Sequence, residues 1–251
     1  MTLVVPARAK LNLDLAVIAR TKDGFHELRT HMQAIELHDL LELQPADRTT
    51  MTSTGFPVPH ADNSVLKAHA ATQQATGRDL PTQFHLDKKI PPGSGMGGAS
   101  SDAAAALRGL KAIHHLIDMD IAGIASSIGA DVPFFIHGGH ALAEGRGDRL
   151  TALPTQPAWF AIAWPGIELS TAAVYRAWDD VNGVGANHLS KAAGHLDARV
   201  NEFAERLGND WQMTGSGSAF FRRCAGEAAA QKAIEKLDCW TAITRSVEEW
   251  S

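Results

Sequence analysis

The sequence between residues 91 and 104 reads Pro91-Pro-Gly-Ser-Gly-Met-Gly-Gly-Ala-Ser-Ser-Asp-Ala-Ala104. Four glycines lie between Gly93 and Gly98, and glycine allows a backbone to take positive φ angles and to approach a ligand closely. Ser100, Ser101 and Asp102 are typical of a helix cap and first turn, because their side chains accept hydrogen bonds from unpaired amides. A glycine-rich loop that leads into a helix N-terminus favours anions, so this stretch predicts a phosphate-binding loop.

The helix after this loop is expected to bury one face. Its apolar residues recur at helical spacing, at Ala103, Leu107, Leu110, Ile113 and Ile117.

This stretch fits two well-known phosphate-binding loops poorly, the P-loop and the loop of dinucleotide-binding proteins. A P-loop ends in Gly-Lys-Ser/Thr, whereas this loop continues Gly-Gly-Ala-Ser-Ser. The spacing of Gly93, Gly95 and Gly98 matches the dinucleotide fingerprint, and Asp118 follows about 20 residues later. That fingerprint follows a fully buried parallel strand, but residues 83–90 alternate polar and apolar side chains. An NAD-dependent oxidoreductase is therefore kept only as an alternative.

A third kind of loop fits best. Residues 92–101 resemble the Pro-x-x-x-Gly-x-Gly-x-Ser-Ser-type loop of the small-molecule kinases related to galactokinase, homoserine kinase and mevalonate kinase.

Composition narrows the class of protein. The chain has 251 residues, of which 45% are hydrophobic and 20% charged, as in ordinary folded proteins. Its net charge of −5 gives no basic field for nucleic acid or anionic lipid. Cys224 and Cys239 predict two reduced thiols, and residues 1–10 lack an apolar signal core, so a cytoplasmic location is expected, with no membrane contact. The histidines show no metal-binding spacing.

The first part of the chain is expected to mix strands and helices. Residues 8–17 alternate, which predicts a strand with Lys10, Asn12 and Asp14 on one face, a face that is more often solvated than functional. Helices are predicted after an Asp62-Asn63 cap, after the glycine loop and over residues 121–128. Further strands are predicted at 32–43 with a break near residues 38–39, at 83–90, at 131–136, and as a hairpin over 141–150.

Residues 151–157 read as a linker, so domains are expected at 1–153 and 154–251. The second domain is expected to contain strands at 159–164, 219–222 and the end of the chain, with helices from Ser170, at 198–207 and at 228–237. Strands alternating with helices predict an α+β fold, with helices on one face of a sheet.

The motifs together resemble one family of these kinases, the 4-diphosphocytidyl-2-C-methyl-D-erythritol kinases. Five motifs occur in that family's order: Pro6-Ala-Arg-Ala-Lys-Leu-Asn-Leu13, Asp23-Gly-Phe-His-Glu-Leu28, Pro92 to Asp102, Gly129-Ala-Asp-Val-Pro-Phe134 and Thr214-Gly-Ser-Gly217. The resemblance implies a two-domain kinase fold, with an N-terminal ATP-binding α/β domain and a C-terminal ferredoxin-like α+β domain. It also implies ATP-dependent phosphorylation of the 2-hydroxyl of a cytidine-diphosphate-linked sugar alcohol, in the non-mevalonate route to isoprenoid precursors.

The resemblance also implies roles for individual residues. Lys10 and Asp131 match the family's catalytic pair. The ATP site would be formed by Pro91, Pro92, Gly93, Ser94, Gly95, Met96, Gly97, Gly98, Ala99, Ser100, Ser101, Asn63 and Lys88. The cytidyl substrate would be bound by Asn12, Phe25, His26, Thr171 and Tyr175. Phe25 stands where the family usually has tyrosine, which keeps a stacking surface but removes a hydroxyl.

Several of these residues also have a plain structural explanation. Tyr175 suits a core position, Asn63 a helix cap, and Lys88 a strand. Mg²⁺ is expected to accompany ATP, although the sequence does not identify its ligands. A monomer or homodimer is expected. Alternatives are a mevalonate- or homoserine-type kinase, the oxidoreductase, and a nucleotide sensor without catalysis.

Overall fold

A computed structural model describes residues 2–58 and 63–250. These residues form strands and helices in the following order: β1 (Leu3–Asn12), β2 (Ala16–Arg20), β3 (His26–Pro45), β4 (Thr50–Gly55), α1 (Ser64–Thr76), β5 (Thr82–Lys88), α2 (Gly98–Ile113), α3 (Ile121–Ile128), α4 (Phe134–His137), β6 (His140–Gly145), β7 (Arg149–Leu153), β8 (Trp159–Trp164), α5 (Thr171–Val181), α6 (Ser190–Leu196), α7 (Ala198–Leu207), β9 (Gln212–Met213), β10 (Phe220–Cys224), α8 (Glu227–Ile234) and β11 (Trp240–Arg245). The mixture agrees with the expected α+β class.

Contacts divide the chain into two compact units. Unit 1 comprises residues 1–9, 38–92 and 97–137, and unit 2 comprises residues 10–37, 93–96 and 138–251. Strands β1 and β3 pair with each other, and each contributes residues to both units. The units are interleaved in sequence, so the domain division at residue 153 stays a prediction. Residues 151–153, expected in a linker, belong to β7.

In unit 1, β5 pairs with parallel β4 on one side and with the antiparallel second half of β3 on the other. A parallel pair needs a crossover connection, and helix α1 provides it. Four apolar side chains of β3 and β5 are buried in this unit: Leu41, Leu43, Phe84 and Leu86. Helix α2 packs against α1, and residues 101–107 of α2 are all buried. Unit 1 therefore holds α2, which follows the glycine loop, at the centre of its core.

In unit 2, the first half of β3 pairs with antiparallel β2 and β6, and β6 forms a hairpin with β7. A second, antiparallel sheet has the order β11-β8-β10-β9. Helices α5, α6 and α7 bury apolar residues with this sheet, including Val174, Ala192, Phe203 and Phe220. The predicted strand β8 and helix α7 are confirmed, but α6 was not expected.

Several predicted boundaries were wrong. The first strand ends at Asn12 instead of reaching residue 17, and β3 runs through residues 38–39 without a break. Residues 131–136 form no strand: a turn leads into the short helix α4. The run of apolar residues there was too short to separate strand from helix. The Asp62 part of the expected cap lies outside the described residues.

Helix α2 also differs from the expected amphipathic helix. It begins at Gly98 and ends at Ile113, so Ile117 lies beyond it and is 82% exposed. Residues 101–107 are buried on every side of the helix, whereas the sequence suggested a single buried face. Among the residues described, no helix has the length and apolar character needed to span a membrane.

Candidate active site

The glycine loop has the backbone that its sequence predicts. Gly93, Gly95 and Gly97 have φ angles of +59°, +78° and +74°, in the left-handed region that favours glycine. A Cβ atom on Gly95 would lie 2.3 Å from the carbonyl oxygen of Thr214. Gly95 is therefore required both for its φ angle and for its close backbone neighbour.

The first turn of α2 leaves amide groups available to a ligand. Gly97 is the N-cap residue and provides no side-chain hydrogen bond, and the amide of Ser101 donates to the Gly97 oxygen at 2.9 Å. The predicted cap by Ser100, Ser101 and Asp102 is wrong. The Ser101 hydroxyl instead donates to the Arg8 carbonyl at 2.6 Å. Amides in the first turn of a helix that lacks a cap form a typical phosphate site.

A buried cluster of three charged side chains lies at the same end of α2. Lys88 donates to Asp39 and lies 2.9 Å from Asp102, and none of the three side chains is more than 7% exposed. A Cβ atom on Gly98 would lie 2.8 Å from the Lys88 Nζ, which places the ammonium beside the first turn. Asp39 also accepts from the amides of Lys89 and Ile90. The cluster ties β3 and β5 to the start of α2.

Burial and ion pairing act in opposite directions within this cluster. Burial favours the neutral amine, but the two neighbouring carboxylates prevail and raise the pKa of Lys88. Burial, helped by the Asp39 charge and opposed by Lys88, raises the pKa of Asp102 to about 7. The Asp102 Oδ1 atom is buried and has no hydrogen-bond partner in the part of the chain that the structure describes. Lys88, predicted to line the ATP site, is thus part of an ion-pair cluster in the protein interior.

Lys10, at the end of β1, is held by a network in unit 2. Its ammonium donates to Asn12 Oδ1 and, at 2.5 Å, to the Gly95 carbonyl. Asn12 donates from Nδ2 to Thr30 Oγ1 and from its backbone amide to Thr214 Oγ1, both at 2.8 Å. Lys10 and Asn12 are only 3% and 2% exposed, so the solvated strand face suggested by the sequence is a buried polar one. The network fixes the Lys10 ammonium beside the glycine loop.

The second glycine loop, residues 214–218, contacts the same network. A Cβ atom on Gly215 would lie 2.9 Å from the Lys10 Nζ and 2.7 Å from the Gly95 oxygen. The amides of Ser218 and Ala219 donate to the carbonyls of Gly93 and Ser94. This loop, which contains one of the five motifs of the family resemblance, supports Lys10 and the first glycine loop in the structure.

Asp131 lies in the turn between α3 and α4. The amide of Val132 donates to the Gly129 carbonyl at 3.1 Å, which closes that turn. The Asp131 side chain is half-buried, and within the described residues it makes no hydrogen bond or ion pair. Its carboxylate is therefore available to a ligand.

An aromatic cluster in unit 2 contains two of the predicted substrate residues. The rings of His26 and Tyr175 stack with their centroids 5.2 Å apart, and Trp178 meets the His26 ring edge-on. Phe25 is 52% exposed, and the Arg146 guanidinium lies 3.8 Å from the centre of its ring. His26 and Tyr175 thus lie together, and Phe25 presents a separate exposed ring.

The remaining predicted residues have definite partners. Thr171 shares a hydrogen bond of 2.9 Å with Ser216 of the second glycine loop. Asn63 caps α1, accepting from the amides of Val65 and Leu66, as its plain structural explanation predicts. Within the described residues, no three histidine, cysteine or acidic side chains cluster in a way that could hold a metal ion.

Sequence comparison identifies the family. A sequence profile described as the GHMP kinases N terminal domain matches residues 63–139. A 4-diphosphocytidyl-2-C-methyl-D-erythritol kinase from Halorhodospira halophila is 37% identical, over 99% of this chain and 94% of the relative. The chain belongs to the 4-diphosphocytidyl-2-C-methyl-D-erythritol kinase family. The family's enzyme from Ectopseudomonas mendocina is 40% identical, over 94% of this chain and 87% of that protein.

Solved structures agree with this family. A crystal structure of 4-(cytidine 5'-diphospho)-2C-methyl-D-erythritol kinase matches with a TM-score of 0.84 and 30% identity, covering 97% of this chain and 99% of that chain. A homoserine kinase from Cytophaga hutchinsonii matches with a TM-score of 0.71 over 99% of this chain and 95% of that chain, at 18% identity. The second match shows a shared fold alone.

Sequence reasoning missed several residues that hold the site together. Asp39 was expected at a break in the strand region 32–43, and nothing in its neighbourhood indicated a buried ion pair. Thr30 likewise gave no signal, and Thr214 was noted only as the first residue of the Thr214-Gly-Ser-Gly217 motif. Asp179 follows Tyr175 by four positions on α5, a spacing that places both side chains on one helix face, so this residue could have been found.

Proposed function

We propose that this protein transfers the γ-phosphoryl group of ATP to the 2-hydroxyl of 4-diphosphocytidyl-2-C-methyl-D-erythritol, giving ADP and the 2-phosphate. The observation that carries the proposal is the glycine loop. Three left-handed glycines lead into a helix whose first turn has no side-chain cap, which is the arrangement that binds phosphate. The near full-length similarity to kinases of this name supports the choice of substrate over mevalonate or homoserine.

The proposed roles of Lys10 and Asp131 follow from phosphoryl-transfer chemistry. Such enzymes act mainly by positioning the reactants and stabilising charge on the transferring group. The buried Lys10 ammonium, held by Asn12 and Gly95, would stabilise the γ-phosphoryl oxygens. The Asp131 carboxylate, which has no hydrogen-bond partner among residues 2–58 and 63–250, would orient the substrate hydroxyl and accept its proton.

The proposed nucleotide and substrate sites use the remaining predicted residues. Residues 91–101 would line the triphosphate, with the backbone amides that follow Pro91 and Pro92 donating to it. Asn63 would lie on the adenine side, and Lys88 would support the nucleotide site from the buried cluster beside the first turn of α2. Mg²⁺ would enter with ATP as part of the substrate, neutralising charge on the phosphate oxygens. His26, Tyr175 and Phe25 would bind the cytosine ring, with Asn12 and Thr171 near the rest of the substrate. We further propose that the protein acts in the cytoplasm, as a step in the supply of isoprenoid precursors.

A coupled assay of ADP release tests the proposal. Wild-type protein is offered ATP and Mg²⁺ with the cytidyl substrate, mevalonate or homoserine, and turnover is expected with the cytidyl substrate only. Asp131→Asn is expected to lower kcat by about 10²-fold or more. Asp118→Asn is the matched control, because Asp118 is an exposed carboxylate of the same unit. Turnover of mevalonate alone would overturn the substrate, and an unchanged kcat in Asp131→Asn would overturn its catalytic role.

A further inference from the structure

Asp179 contacts the aromatic cluster and is not among the residues to which the proposed function assigns a role. It lies on α5, one helical turn after Tyr175. Its Oδ1 atom is 2.7 Å from the Nε2 atom of His26, and the His26 side chain is only 7% exposed. The contact therefore joins a carboxylate to a buried imidazole.

The second oxygen of this carboxylate faces a different partner. Asp179 Oδ2 lies 3.4 Å from the Arg20 guanidinium, whose side chain is 60% exposed. An ionised carboxylate only accepts hydrogen bonds, so the His26 Nε2 atom must carry a proton. A neutral imidazole has a single N–H group, and the Nδ1 atom then presents a lone pair.

The contacts of His26 leave the Nδ1 lone pair as the part of the ring that can form a hydrogen bond with a ligand. Tyr175 covers one face of the ring and Trp178 meets it edge-on. Across residues 2–58 and 63–250, the Nδ1 atom of His26 makes no hydrogen bond. His26 is thus prepared to accept one hydrogen bond from a ligand.

Cytosine and uracil differ at the atom that such an acceptor would meet. Cytosine carries an exocyclic amine that donates, whereas uracil carries a carbonyl oxygen at the same position. We propose that Asp179 is a positioning residue that fixes the His26 proton on Nε2, so that Nδ1 accepts from the cytosine amine and disfavours uracil. The inference rests on the proposed function, in which His26 binds the base of the substrate.

Selectivity between the two bases tests this inference. The cytidyl substrate and its uridyl analogue are compared in wild type, Asp179→Ala and Asp180→Ala. Asp180 is the matched control, because it is the next residue of α5, carries the same charge and is exposed. Asp179→Ala is expected to lose about tenfold or more of the preference for cytidyl in kcat/KM, since one hydrogen bond to a buried group is lost. The loss should lie in KM, with kcat nearly unchanged, because the base is remote from the reacting hydroxyl.

The tautomer of His26 can be measured directly, and it would not change if Asp179 only supported the fold. Nitrogen-15 NMR of labelled protein is expected to show the Nε2–H form in wild type and Asp180→Ala, and a mixture of both forms in Asp179→Ala. Asp179→Asn, whose amide oxygen still accepts from Nε2–H, serves as a second variant and is expected to retain more of the preference. A Nδ1–H form in wild type would overturn the inference, as would an unchanged preference in Asp179→Ala.

Two further comparisons test whether a loss of cytidyl preference comes from the His26 contact of Asp179, and whether the proposed function itself holds. Arg20→Met is expected to keep the cytidyl preference, because exposed ion pairs contribute little. A loss in Arg20→Met as large as in Asp179→Ala would overturn the role assigned to the His26 contact. If wild type turns over neither nucleotide substrate, the proposed function fails, whereas equal turnover of both leaves the kinase activity intact and overturns this inference alone.

Discussion

Lys88 and Asp102 form an ion pair of 2.9 Å beside the first turn of α2, where neither side chain is more than 7% exposed. Asp39 binds the same ammonium and accepts from the backbone amides of Lys89 and Ile90, directly after β5. The start of α2 is therefore held by buried charges, and its N-cap residue, Gly97, provides no side-chain hydrogen bond to the first turn. Holding the helix in this way leaves those amides for a ligand.

Replacing Lys88 should destabilise the fold strongly. Lys88→Met leaves Asp39 and Asp102 buried without a cation, and breaking a buried pair by removing one partner costs about 3–5 kcal/mol. Urea denaturation measures the free energy of unfolding. Lys89→Met is the control, because Lys89 is the neighbouring residue and its side chain is 52% exposed. Equal stability of the two variants would contradict the importance of the buried cluster.

The stability of the protein should depend on pH through Asp102. Its pKa is raised from 3.8 to about 7 in the folded state, mainly by burial. The folded state therefore binds more protons than the unfolded state between these values, so the free energy of unfolding falls as pH rises through that window. Asp102→Asn removes this contribution. In denaturation without nucleotide at pH 5 and pH 8, the stability advantage of wild type over Asp102→Asn should shrink as pH rises, and parallel profiles would refute the assignment.

Removing the Lys10 ammonium should reduce turnover more than nucleotide binding. Lys10→Met keeps the packing of the alkyl chain but loses the charge, and removing one preorganised donor to a transition state costs about 10²–10³-fold in kcat. Steady-state kinetics at saturating ATP measure kcat, and thermal unfolding checks the fold. Lys22→Met, at an exposed lysine of the same unit, should keep wild-type turnover. A wild-type kcat in Lys10→Met would exclude Lys10 from the chemistry.

A methyl group on Gly95 should damage the glycine loop. Gly95 has φ +78°, and a Cβ atom there would lie 2.3 Å from the Thr214 oxygen and 2.8 Å from the Gly217 nitrogen. Gly166 has φ +77° with no atom within 4 Å of the corresponding position. Both alanine variants suffer the strain of a left-handed residue, of about 1 kcal/mol. Only Gly95→Ala should also raise the KM for ATP and lower kcat, and equal kinetics in the two variants would contradict the role of this close approach.

Local signals in the sequence predicted much of the fold. The Asn63 cap, β5 and α7 lie where their residues indicate, because capping chemistry and alternation act over short distances. Residues 131–136 were predicted wrongly, since a short apolar run suits a strand and a buried helix equally. The end of α2 was placed too late because Ile117 continues the apolar spacing of the helix, although the helix ends at Ile113.

Less of the candidate site than of the fold could be predicted from the sequence. The loop glycines could be predicted because left-handed backbone selects glycine directly. The Asp39 contact could not be predicted, since 49 positions separate it from Lys88 and only the paired strands bring them together. The support of Lys10 by residues 214–218 depends on similar long-range pairing. Short sequence patterns therefore identified individual residues of the site. Contacts between residues far apart in the sequence determine which of these residues lie together.

Four consecutive alanines, residues 103–106, occupy the buried middle of α2. A close-packed helix of small side chains cannot slide or rotate without opening a void on one side and a clash on the other. Its amino-terminal amides should then point in the same direction before and after a nucleotide arrives. The conformational entropy of these amides is already lost when the chain folds. Binding an anion at this end of the helix therefore requires little further loss of entropy.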